Sequence, residues 1–115
     1  MKLVHDKISI EELKKMSESM FEGIVKAVVD IEKKIMVVDA AMHADEEFFL
    51  LEEHDSQQKN LWGINIQPEL FGIDGWIVFD SMINLRPSHG NRSRGVDDPK
   101  IREQIITIVN KLVTT

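Results

Sequence analysis

Apolar residues recur at spacings of three and four in Ile10, Leu13, Met16 and Met20, the periodicity of one helical face. Just upstream, Ser9-Ile10-Glu11-Glu12 forms a capping box, with Ser9 at the N-cap and Glu12 three residues on. The pattern predicts a helix over 10–20, with Gly23 placed to end it. From Ile24 the texture becomes β-branched: residues 24–31 and 35–38 flank the charged turn Glu32-Lys33-Lys34 and predict a hairpin. Phe48-Phe49-Leu50-Leu51 fits either a strand or a helical turn. The turn formers His54-Asp55-Ser56 arrive after only six residues, which favours a strand over 48–53. Leu61–Ile66 reads as another strand, Pro68 and the Gly72/Gly75 pair turn the chain, and Trp76–Phe79 and Met82–Leu85 read as two short strands around Asp80-Ser81.

The last element is the plainest. Asp97 or Asp98 caps, Pro99 takes the first helical position, and Ile101, Ile105, Ile108, Val109 and Leu112 share one stripe. Strands in succession between two amphipathic helices, with no helical crossovers, predict one α+β domain over 1–115. Its sheet is mostly antiparallel, with about five or six short strands and both terminal helices packed on one face. Trp62 and Trp76 fall in apolar strand patterns and are expected in the core.

Composition narrows the function classes. A chain of 115 residues, 43% hydrophobic and 30% charged, can bury a core without staples and is not disordered. It contains no cysteine, which removes disulfides, thiolate metal sites and a cysteine nucleophile together. The N-terminus lacks the apolar stretch of a signal peptide, no run approaches a membrane span, and cytoplasmic location is the expectation. No nucleotide-binding glycine motif, zinc-protease motif or nucleophile elbow occurs, and the cofactor stays unknown. The methionines are scattered through the elements as core filler.

The net charge is −6, and its distribution matters more than its sum. Arg86-Pro87-Ser88-His89-Gly90-Asn91-Arg92-Ser93-Arg94-Gly95 holds three arginines and no acid, so it carries +3 against −9 on the remainder. That is too narrow a patch for nucleic acid, which needs an extended basic surface. The segment is long and polar for a strand-to-helix connection, and such loops are often functional. Arginine forks match carboxylate and phosphate oxygens, and hydroxyls with glycine-exposed amides complete an anion cradle. One reading therefore makes Arg86, Ser88, Asn91, Arg92, Ser93 and Arg94 the ligands of a small anion, with Asp80 and Asn84 in support. His89, which titrates near neutrality, is then the proton carrier of any reaction. The other reading pairs the arginines with Asp97, Asp98 and strand carboxylates, or uses them at a homodimer or partner interface, where arginine is enriched. A weaker constellation is His43-Ala44-Asp45-Glu46. If this stretch is extended, His43 and Asp45 share a side and, with Glu46, offer donors to a divalent metal.

Asp30-Ile31-Glu32, His43-Ala44-Asp45-Glu46, Leu61-Trp62-Gly63-Ile64-Asn65, Phe79-Asp80-Ser81-Met82-Ile83-Asn84 and the closing run Arg86 to Pro99 together resemble an uncharacterised family of short prokaryotic proteins, grouped only as a domain of unknown function. The likeness covers nearly the whole chain. It implies a bacterial or archaeal cytosolic protein and brings with it no activity, cofactor or catalytic residue.

Overall fold

The computed structural model describes residues 1–115, apart from the side chain of Phe21. Its strands are β1 (Lys2–Val4), β2 (Ile8–Ser9), β3 (Val25–Asp30), β4 (Ile35–Val38), β5 (Leu61–Ile66), β6 (Ile77–Val78) and β7 (Val113–Thr114). Its helices are α1 (Ile10–Glu18), α2 (His43–Glu53) and α3 (Pro99–Leu112). Five strands form an antiparallel sheet in the order β1-β4-β3-β5-β6, and β2 pairs in parallel with β7. The fold is the expected α+β class.

Both faces of the sheet are covered, which is why β5 is buried at every position. On one face Ala27, Val29, Met36, Val38, Ile64 and Ile66 pack with Leu13 of α1 and with Ile105, Ile108 and Val109 of α3. On the other, Val28, Val37 and Leu61 pack with Leu50 of α2. The predicted caps are in place: Ser9 Oγ accepts from the Glu12 amide at 3.1 Å, and the Asp98 carboxylate accepts from the Lys100 amide at 2.8 Å. The first helix stops at Glu18 rather than residue 20, with Ser19 as its C-cap. Both tryptophans are buried as expected.

Two expectations are corrected. Residues 48–53 belong to helix α2, not to a strand. Its inward positions His43, Glu46 and Leu50 keep helical spacing, but two of the three are polar while Phe48 is 63% exposed, so apolar periodicity is lost. Met82–Leu85 is likewise no strand. A 3-10 turn spans Met82–Asn84, capped by Ser81 Oγ on the Ile83 amide, and its polarity is inverted, with Met82 and Leu85 exposed and Asn84 fully buried. No helix among the described residues is long and apolar enough to cross a membrane.

Candidate functional site

The arginine-rich segment is a folded loop held by its own polar groups. Arg86 and Asn91 exchange backbone hydrogen bonds at 2.9 and 3.1 Å around the 3-10 turn Pro87–His89, closed by Gly90 at φ +87°. The Asn91 side-chain amide donates to the carbonyls of Asn84, Ser93 and Gly95, and its oxygen accepts from the Asp97 amide. Asp97 in turn receives the Ser93 hydroxyl and the Arg92 amide, and these bonds hold its carboxyl below the usual range.

Two of the three guanidiniums have separate partners and the third, that of Arg92, has none among the described residues. Arg86 lies 4.2 Å from the centroid of the Trp62 ring and donates to the carbonyls of Gln58 and Leu61, with burial lowering its pKa. Arg94 pairs through Nε with Asp80 at 2.8 Å, both side chains half exposed. Arg92 is exposed, as are Ser88 and His89.

A second polar cluster lies where this loop meets α2 above β5. Gly63 marks the junction: a Cβ placed there would stand 2.5 Å from Ser81 Oγ and 3.2 Å from His43 Cδ2. Asn84 docks the loop on the strand. Its oxygen accepts from the Gly63 amide at 2.8 Å, and its amide donates to the carbonyls of Gly63 and Arg94 at 3.0 Å each. The Ser81 amide also donates to the Arg94 carbonyl. Lys26 and Asn65 face each other across β3 and β5, and Asn65 donates to the Asp80 carbonyl at 3.1 Å. Arg94, Asp80, Asn65 and His43 are therefore joined through one short stretch of β5.

The electrostatics of this cluster are unusual. His43 is buried, and its Nε2 lies 2.7 Å from the Ile64 carbonyl. A carbonyl only accepts, so Nε2 carries the proton and Nδ1 is the lone-pair nitrogen. Burial lowers the His43 pKa, with Lys26 and Arg94 acting in the same sense and Ile64 and Asp80 opposing. Glu46, one turn along α2, is 0% exposed. Burial pushes its carboxyl up to about 10, against the pull of the Ala40 backbone and Lys26. The Ala40 backbone is near enough to bias Glu46 but makes no hydrogen bond of good geometry to either of its oxygens, and Asn65 Oδ1 has no partner, whereas buried polar groups are normally paired.

The family described as Protein of unknown function (DUF5674) matches residues 2–112. The chain belongs to it. Comparison with curated proteins and with solved structures gave no match.

Of the residues singled out from the sequence, His43, Glu46, Asp80, Asn84 and Arg94 belong to the junction. Asn84 acts there as a backbone mimic on Gly63. Arg86, Asn91 and Ser93 are engaged in holding the loop. The extended backbone over 43–45 on which a shared side for His43 and Asp45 depended is not formed: the first turn of α2 stands there, turning His43 and Glu46 inward and Asp45 out to solvent. Among the described residues no three His, Asp or Glu side chains gather to hold a metal ion. Lys26 and Asn65 were not anticipated. Their signal was a polar residue at an interior position of an otherwise β-branched or apolar strand.

Proposed function

We propose that this protein binds a small carboxylate- or phosphate-bearing ligand at the junction of β3, β5, α2 and the arginine loop, and that His43 is the base of that site. The loop's part is to deliver Arg94, not to form a cradle of three guanidiniums. The carrying observation is the set of uncommitted groups beside an oriented neutral imidazole. Asp80 takes only Nε of Arg94, so the terminal nitrogens of the fork remain for an anion. Lys26 is near enough to bias both His43 and Glu46. Glu46, kept protonated by burial, can donate a hydrogen bond that an ionised carboxylate could not. Perturbed titrating groups with unpaired polar neighbours are the physical mark of functional sites.

A second reading, an interaction module, rests on the outer face of α2. There Met1, Met42 and Phe48 are well exposed, and Asp39, Asp45, Glu52 and Glu53 line a shallow groove.

Thermal unfolding separates the two. A ligand at 100 times its Kd adds ~2.7 kcal/mol, several degrees in a domain of this size. Inorganic phosphate or a dicarboxylate is expected to raise Tm of the wild type and not of Lys26→Met or Arg94→Met. No shift with any anion tested, or equal shifts in all three proteins, removes the ligand reading.

A further inference from the structure

A well-formed cavity shares no residue with the β5 junction. It has a volume of about 620 Å³ and lies between α3, the β3–β4 turn and the β1–β2 connection. Its size falls in the range of small-molecule pockets. Its floor is apolar, made by Ile31, Ile108 and Leu112. The rim is cationic: Lys7, Lys33, Lys34 and Lys111 stand against only two carboxylates, Asp6 and Glu103. In a chain of net charge −6, four lysines from three separate segments converge on one opening.

The turn that presents two of them is rigid. Asp30, fully buried, accepts the amides of Glu32 and Lys33 at 2.9 and 3.0 Å and the Ser56 hydroxyl at 2.6 Å. The Lys34 amide closes the turn on the Asp30 carbonyl. Across the opening, Lys7 donates to the carbonyl of Lys111, tying the β1–β2 connection to the end of α3. Lys33, Lys34 and Lys111 enter no ion pair among the described residues. The backbone that presents the rim is thus braced while the Lys33, Lys34 and Lys111 ammonium groups stay unneutralised, which favours an anion at the opening.

We propose that this cavity binds a small amphiphilic anion, an apolar body carrying one carboxylate or phosphate group. The body lies on Ile31, Ile108 and Leu112, and the anionic head meets Lys33, Lys34 and Lys111. Both halves are required. Inorganic phosphate has nothing for the floor, and a neutral alcohol has nothing for the rim.

The test is an amide-resolved NMR titration of the full chain with decanoate and decyl phosphate below their micellar concentrations, against decanol and inorganic phosphate. Both amphiphilic anions are expected to move the resonances of residues 31–34 and 104–112, with decanol and phosphate binding about tenfold or more weakly at that site. Lys33→Glu/Lys34→Glu, on exposed turn positions, is expected to weaken decanoate about tenfold. Arg94→Met is expected to leave it unchanged, which separates this site from the β5 junction. Equal binding of decanol and decanoate overturns the proposal, as does an unaffected double variant or movement confined to other residues. Sedimentation with phosphatidylglycerol vesicles without any response to monomeric decanoate also overturns it, making the face a membrane contact.

Discussion

Raising the pH from about 5 towards 10 is expected to destabilise this protein steadily, and Glu46→Gln is expected to flatten that dependence. The carboxyl of Glu46 moves from an ordinary 4.5 when unfolded to about 10 when folded, chiefly because it is buried. Between those values the folded chain holds a proton that the unfolded chain has released. Unfolding then releases a proton, so stability falls as pH rises, by up to about 1.4 kcal/mol per pH unit. The contribution is intact below the unfolded pKa and is lost as pH rises through the window up to the folded one. Urea unfolding at a series of pH values measures the slope. Gln keeps the shape and removes the titration, so its curve separates from the wild type in this window. A wild-type slope that survives Glu46→Gln means that Glu46 ionises freely, and that the polar junction is wetter than its burial implies.

The largest loss from a single truncation is expected at Asn84. Its side chain satisfies the amide and carbonyl of Gly63 and the carbonyl of Arg94, at a position with 0% exposure. Ala leaves the amide and carbonyl of Gly63 without a partner, while the Arg94 carbonyl keeps the Ser81 amide. An orphaned buried polar group costs ~1–3 kcal/mol, so with two of them Asn84→Ala is expected to lose roughly 2–6 kcal/mol. That is a large part of the ~5–15 kcal/mol that holds a typical domain together. Asn84→Asp retains the acceptor for Gly63 but sets a carboxylate against two carbonyls, and it is expected to rescue nothing. The midpoint of urea unfolding gives the number. A loss under about 1 kcal/mol would mean that the loop stays docked on β5 without this amide.

Elements whose chemistry agrees with their periodicity were legible in the sequence. The capping of α1 at Ser9, a cap for α3 at one of the two aspartates before Pro99, the β3–β4 hairpin and strand β5 all follow from local pattern, and so does the α+β class. The sequence misled where buried polar side chains interrupt the apolar pattern. Helix α2 turns His43 and Glu46 inward and Phe48 outward, so its apolar residues no longer trace a helical stripe. Met82–Leu85 is mostly apolar and reads as a short strand, yet its fully buried residue is Asn84, because that amide replaces a missing neighbour of β5. The charge island was visible and its division of labour was not. One chain does not show that Arg86 would cover Trp62, that Asn91 and Asp97 would brace the loop, or that Arg94 would reach Asp80. Which side chains meet depends on strand order, and β5 lying between β3 and β6 is what brings Lys26, Asn65 and Asp80 together. Family membership over residues 2–112 agrees with the resemblance seen in the motifs and adds no activity to it.

The central claim is that an oriented, neutral His43 stands beside vacant cationic donors. The most direct measurement is the protonation of its two ring nitrogens by NMR, followed across pH with and without inorganic phosphate or succinate. The expected result is a proton on Nε2, a pKa below the ordinary histidine value, and a rise in that pKa when the anion binds. An anion near the ring favours the charged form, and the rise should be absent in Arg94→Met. A His43 that titrates normally, or whose pKa ignores every anion, would contradict the assignment of this junction as the site.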